Sequence, residues 1–308
     1  YELGTKNTLL DGAMTLNGDI FFYNYKGYQI SEIVDRTAIN HNYDATVRGA
    51  ELETTWEPTP GLKFSFAGGY EATRIDDGQY AVDLMDRTAG VAGWYIAKPF
   101  VTQASNCIFP GYVAQYLIHG GGASPGPSAC ALAYLADEDP LTGKTYKQDP
   151  TVCLGWFGGS DTSSACPPGY PGFDPSTAPN DGEGFSKDLS GNELPNAPHF
   201  TTSLSADYTV PVSDEWAATL HSDFYWQAQS WWRVFNDSSY DRLHGYTNVN
   251  LALILNSSSG WQVMGYAKNI FNTTAITGAF LNSDDSGLTT NVFLTDPRLY
   301  GVRITKNW

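Results

Sequence analysis

The sequence predicts an all-β chain, one wall of an antiparallel transmembrane β-barrel built from about nine strands. Three observations carry this prediction. Apolar and polar residues alternate with period two over segment after segment. The links between segments alternate between short and long. Tryptophans sit beside the short links, on the apolar side of their strands.

Strands are expected roughly at 1–10, 13–31, 43–57, 62–76, 197–212, 216–235, 246–256, 261–273 and 292–308. In the first long segment Met14, Leu16, Ile20 and Phe22 alternate with Thr15, Asn17, Asp19 and Phe21. Ala50, Leu52 and Trp56 then alternate with Glu51, Glu53 and Thr55, and Leu62, Phe64, Phe66 and Tyr70 with Lys63, Ser65 and Ala67. The pattern is clearest where a mostly apolar face of Phe200, Thr202, Leu204, Ala206, Tyr208 and Val210 opposes Thr201, Ser203, Ser205, Asp207 and Thr209. Trp216, Ala218, Leu220, Phe224 and Trp226 oppose Thr219, His221, Asp223, Tyr225 and Gln227. Near the end Val249, Leu251, Leu253 and Leu255 share one face. Tyr300, Val302, Ile304 and Trp308 share another, which Lys306 interrupts.

Asp11-Gly12, Pro58-Thr59-Pro60-Gly61, Ser213-Asp214-Glu215 and Ser257-Ser258-Ser259-Gly260 make short turns. Longer links fall near 32–42, 77–196, 236–245 and 274–291. Trp56, Trp216, Trp261 and Trp308 flank the short turns or the chain end, as in an interfacial aromatic belt. A soluble sandwich core is the competing explanation for these tryptophans.

Composition narrows the function. Of 308 residues 42% are hydrophobic, yet no apolar run reaches the ~18 residues of a membrane helix. A barrel strand shows lipid only every second residue, so a mean hydropathy of −0.30 fits it. The net charge of −16 argues against nucleic acid as a partner. His41, His119, His199, His221 and His244 are scattered, and no hydrolase elbow, phosphate loop or zinc-peptidase motif occurs. The sequence therefore predicts neither an enzyme nor a cofactor.

Several phrases resemble the last strands of TonB-dependent receptors. They are Tyr1-Glu2-Leu3-Gly4 before Asp11-Gly12, and the run Phe21-Phe22-Tyr23-Asn24-Tyr25. Arg48-Gly49-Ala50-Glu51-Leu52-Glu53 leads into Trp56. Leu189-Ser190-Gly191 and Pro195-Asn196-Ala197-Pro198 follow the longest link. Lys268-Asn269-Ile270-Phe271-Asn272, Pro297-Arg298 and Tyr300-Gly301-Val302 precede Trp308. Lys306 departs from the apolar or aromatic residue usual two before the end. The resemblance implies the C-terminal nine strands of a larger barrel of about 22 strands with a plugged lumen. Residues 1–308 would then be barrel, 77–196 one long extracellular loop, and the N-terminal plug domain absent. It further implies the bacterial outer membrane, a periplasmic C-terminus, a TonB-type complex acting through the plug, and barrel assembly machinery reading the last strand. The activity implied is uptake of a scarce nutrient: an iron–siderophore complex, a cobalamin-like ligand or a carbohydrate. A passive porin and a soluble carbohydrate-binding module are the alternatives.

Cys107, Cys130, Cys153 and Cys166 all fall in the 77–196 link. Clustered cysteines outside the cell favour two disulfides. Three connectivities are possible, and Cys107–Cys130 with Cys153–Cys166 closes the shorter loops. Without a Cys-x-x-Cys, no metal site is expected. Twelve acids against five bases between 78 and 195 make the link acidic. Its Trp94 and Trp156 are candidate ligand contacts. Parity carried on from Trp216 points Gln227, Gln229, Trp231 and Arg233 inward and Trp232 outward. Gln229, Trp231 and Arg233 are thus candidates for holding an anionic or aromatic ligand at the mouth. The competing expectation pairs Arg233 with Glu51 or Glu53.

Overall fold

The computed structural model describes residues 1–34, 37–97, 107–112, 178–282 and 287–308. Nine strands form one antiparallel sheet in chain order. They are β1 (Glu2–Leu9), β2 (Met14–Val34), β3 (Thr37–Thr59), β4 (Leu62–Ile75), β5 (Phe200–Pro211), β6 (Trp216–Gln227), β7 (Tyr246–Ser257), β8 (Trp261–Lys268) and β9 (Leu299–Lys306). Each pairs only with its chain neighbours in that sheet, so the fold is a meander, as the alternation of segments predicts.

Partners in an antiparallel ladder share a face, so one parity fixes the whole sheet. The row Leu62–Tyr208–Leu220–Leu253–Gly265–Val302 crosses six strands and is apolar throughout. The neighbouring row, Lys63–Asp207–His221–Ala252–Tyr266–Gly301, lies on the other face. On that face His221 stands between Asp207 at 2.7 Å and Asp223 at 3.0 Å. The apolar face has little protein over it: Leu220 is 53% exposed and Val302 73%. An apolar surface of this extent is unfavourable in water by ~25 cal/mol per Å².

Trp56, Trp216, Trp261 and Trp308 lie at the short-turn end. Lys306 stands directly opposite Trp261. Its Nζ lies 5.2 Å from the Trp261 ring and 5.6 Å from the Trp308 ring, and donates to the Ser259 carbonyl. The aliphatic stem thus covers apolar surface while the charge reaches the turn. That is how a lysine fits an otherwise apolar strand.

Four expected boundaries move, each for a backbone reason. The link expected at 32–42 is the upper part of a long hairpin, paired as far as Val34 and Thr37. β6 ends at Gln227, not 235: Ala228 N still donates to the Phe200 carbonyl of β5 at 2.9 Å, but the chain then leaves the sheet. Farther along, backbone groups are satisfied within the connections: the Trp231 carbonyl accepts from Asn196 N at 2.7 Å, and Trp232 N donates to the Asp241 carbonyl at 3.0 Å. Ser230–Trp231 pairs with Arg242–Leu243. Trp232 therefore does not face outward: its indole donates to the Tyr240 carbonyl at 2.8 Å.

The segment expected at 292–308 splits into Thr290–Leu294, which pairs with Ile276–Leu281, and β9. Pro297 separates the two and offers no N–H. The segment expected at 261–273 stops at Lys268 because Asn269 turns the chain, with φ +47°. The Asn269 amide donates to the Thr273 and Asp296 carbonyls at 2.9 and 2.8 Å and accepts from Thr273 N at 2.9 Å.

Candidate functional site

The sheet's longer connections fold back over the inner face of β2–β4. In the 77–196 link, Tyr80–Val82 pairs with Ser186–Asp188, and Trp94–Ala97 with Cys107–Pro110. The returning segment then joins the core: Leu189, Leu194 and Ala197, with Val234 of the connection after β6, pack on Tyr43, Ala45, Val47 and Ile75. Odd-numbered residues of β3 thus change character along the strand. They are acidic low down at Glu51 and Glu53, and apolar high up where the connections cover them.

Beneath this cover lies an aromatic ladder. Phe21 stacks on Tyr23 at 5.2 Å, Tyr23 meets Tyr25 at 6.1 Å, and Tyr25 meets Tyr28 at 6.0 Å. Strict alternation would send Tyr28 to the opposite face from Tyr25. An irregularity between Tyr25 and Tyr28, with Gly27 at φ +69°, restores it to the same side. Gly49 makes room for Phe21: a Cβ there would lie 2.4 Å from the Phe21 ring and 2.2 Å from the Tyr70 carbonyl. The ladder lines a cavity of about 390 Å³ with Glu2, Asp19, Glu51 and Glu71.

A second cavity, of about 280 Å³, lies higher. Ile30, Tyr43, Trp232, Phe235, Phe280 and Leu281 give it apolar walls, and Glu32, His41 and Arg233 are its charged or titratable members. Its volume is near the lower end of small-molecule sites, ~300 Å³.

Arg233 is buried, 8% exposed, but its partners are neither Glu51 nor Glu53. Nη1 donates to Asp83 and Nε to Asp241, both at 2.6 Å. Lys187 joins Asp83 at 3.0 Å and Asp86 at 2.8 Å. The guanidinium also lies 5.1 Å from the Trp232 and Phe235 rings. Burial pushes the Asp83 carboxyl up, but Arg233 and Lys187 together outweigh it and hold it below the ordinary range. Burial of Asp241 outweighs the help from Arg233 and holds its carboxyl above that range. Removing one partner from such a buried network costs ~3–5 kcal/mol.

The remaining predicted residues are dispersed. Trp231 is fixed rather than free: its indole donates to Glu193 at 3.0 Å, and Arg242 lies 5.5 Å from its ring. Glu193 also meets His199 at 3.0 Å. Gln229 is exposed. Trp94 packs edge-on against Phe185 at 5.5 Å, on a hairpin of its own. Trp156, Cys130, Cys153 and Cys166 lie outside the described residues. Cys107 is buried and is not a free thiol. Among the described residues no cluster of three or more metal-ligating side chains occurs.

Sequence reasoning missed Asp83, Lys187 and Asp241, which sit in links without periodicity. It also missed Phe235 and Phe280. Lys26-Gly27 inside an aromatic run was a legible sign of the irregularity that aligns the ladder.

No family model matches the sequence, and no curated protein matches it. Solved structures do. The fold is similar to that of the ferric yersiniabactin uptake receptor FyuA from Yersinia pestis, with a TM-score of 0.53 and 14% identity, covering 99% of this chain and 29% of that one. It is similar also to the siderophore receptor PiuA from Acinetobacter baumannii, with a TM-score of 0.51 and 14% identity, covering 98% of this chain and 27% of that one. The chain spans under a third of the length of either. What the chain shares with these two receptors is the fold, an antiparallel wall of a β-barrel.

Proposed function

We propose that the chain is part of an outer-membrane receptor that takes up a scarce nutrient by an energy-dependent route. The observation that carries this reading is the cover that the long connections lay on the inner face of the sheet. A passive porin works through an open lumen, whereas here Leu189, Leu194, Ala197 and Val234 pack over the inner face of β2–β4. A covered site suits capture and gated release. The uncovered apolar face, Leu62 to Val302, is what a lipid-facing wall requires, which speaks against a soluble module.

In this reading residues 1–308 belong to one barrel whose outer strands pair with further strands, since unpaired edges are unfavourable in lipid. The short turns and C-terminus face the periplasm, and the 77–196 link lies outside the cell. Trp56, Trp216, Trp261 and Trp308 form the periplasmic belt. Cys107 pairs with Cys130, and Cys153 with Cys166. A TonB-type complex supplies energy through a plug, and β9 is read by barrel assembly machinery. The chemistry is transport rather than catalysis.

The test uses the full-length protein in planar bilayers and in cells. The reading predicts no steady ion current, and nutrient uptake that stops when the TonB-type complex is deleted. A steady ohmic current would favour the porin and overturn it.

A further inference from the structure

The outer face of β2–β4 changes character towards the end away from the short turns. The row Ile20–Ala50–Tyr70 is apolar, and Ile20 and Tyr70 are exposed. The next row on that face is Phe22–Arg48–Ala72, and the one beyond it is Asn24–Thr46–Arg74. At ~3.3 Å per residue and a tilt of ~40°, Arg48 stands about 20 Å above Trp56 along the membrane normal, and Thr46 with Arg74 about 25 Å. The apolar band of such a wall is ~25 Å tall, so both arginines stand where lipid headgroups begin.

The charges here balance in sum but not place by place. Lys26 lies 2.9 Å from Asp44 and 3.7 Å from Asp76. Asp76 also accepts from the Thr46 hydroxyl at 3.0 Å. Arg74 lies 2.9 Å from Asp77, but both side chains are exposed, and such a pair holds only weakly. Arg48 is exposed and has no hydrogen bond, ion pair or ring contact among the described residues. Its partners in both ladders, Phe22 and Ala72, have no group to offer it. Arg48 and Arg74, with Thr46, Ala72, Asp76 and Asp77, line a recess of about 490 Å³. A cation on a lipid-facing surface is unfavourable unless an anion meets it. The recess continues the apolar face, so the anion that fits it carries apolar chains. Directly beneath, the short Ala50 between Ile20 and Tyr70 leaves a trough for one.

We infer that Arg48, with Arg74 as its diagonal neighbour, binds the phosphate of an anionic lipid headgroup in the leaflet nearer the long connections. An acyl chain of that lipid lies over Ala50, between Ile20 and Tyr70. Guanidinium groups suit this task because their N–H groups match phosphate oxygens in pairs. The inference rests on the lipid-facing wall of the proposed function.

The experiment is native mass spectrometry of the full-length protein in detergent micelles, titrated with dioleoyl phosphatidic acid, dioleoyl phosphatidylcholine and dioleoylglycerol. The first phosphatidic acid is expected to bind at least about fivefold more tightly than either other lipid. Arg48→Gln is expected to remove that preference and leave dioleoylglycerol binding unchanged, which shows the wall intact. Arg48→Lys is expected to keep part of the preference, and Lys63→Gln, on the inner face, all of it. An excess of inorganic phosphate is expected not to displace the lipid, since it has no chain for the trough. Four results would each overturn the inference: phosphatidylcholine matching phosphatidic acid, a preference that survives Arg48→Gln, an equal loss in Lys63→Gln, or displacement by inorganic phosphate. A failure of the wall reading looks different. None of the three lipids would then bind, and both would fall, whereas a lipid-facing wall without this site binds all three alike.

Discussion

An arginine in place of Leu220 measures how deep the apolar face lies in lipid. Leu220 stands between Tyr208 and Leu253 on the uncovered side of the sheet. Trp216 and Trp226 mark the two ends of the same strand face. At ~3.3 Å per residue and a tilt of ~40°, they are about 25 Å apart along the membrane normal. Leu220 then sits about 10 Å above Trp216, within about 3 Å of the midplane. A cationic side chain there costs ~2–4 kcal/mol, or about 30- to 1,000-fold in the folding equilibrium. Leu204 faces Phe224, two residues from Trp226, so Leu204→Arg is expected to cost only ~1 kcal/mol. Ser205 faces Asp223 on the inner side, and Ser205→Arg is expected to stay within ~0.5 kcal/mol. The assay is reversible folding of the full-length protein into bilayers under urea, followed by tryptophan fluorescence. Equal costs for Leu220→Arg and Ser205→Arg would refute the parity on which the account depends.

Four further outcomes are expected. Asp83→Asn should loosen the covering connections by ~3–5 kcal/mol, read by hydrogen exchange of residues 186–197, and unchanged protection would argue against the ion cluster as a brace. The unaltered protein should show the same loosening with acid, because a depressed folded-state carboxyl stabilises above its ordinary value, near 3.8, and this is lost as pH falls through the lower folded value. Asp241, shifted the other way, offsets part of that loss; a connection that tightened steadily below pH ~3.8 would contradict the assignment to Asp83. Gly49→Val should cost ~1–3 kcal/mol by colliding with Phe21 and the Tyr70 carbonyl, measured by thermal unfolding. Maleimide labelling without reductant should find no free cysteine, and two or more labelled thiols would contradict the two-disulfide proposal.

The barrel wall was legible because its rule is local. Each strand residue from Phe200 to Gln227 reveals its face by parity alone, and the registers honour that parity across six strands. The site was less legible because parity stops where the ladder stops. Carrying alternation past Gln227 sent Trp232 outward and paired Arg233 with strand acids. The chain had by then left the sheet, and its charged groups took partners 8 and 150 residues away. Nothing periodic links Asp83 to Arg233; their meeting depends on how the covering connections pack. Lys306 is a milder case. It breaks the apolar pattern in sequence, yet its ammonium reaches a turn carbonyl while its stem keeps to the apolar face.

The most direct test of the central claim is a nitroxide scan along β6, residues 216–227, in the full-length protein in bilayers. Electron paramagnetic resonance would compare access to oxygen, which concentrates in lipid, with access to a water-soluble nickel complex. The account predicts a period of two, with oxygen access high at 218, 220, 222 and 224 and low at 219, 221, 223 and 225. Aqueous access at both sets, or no period of two, would contradict a lipid-facing barrel wall.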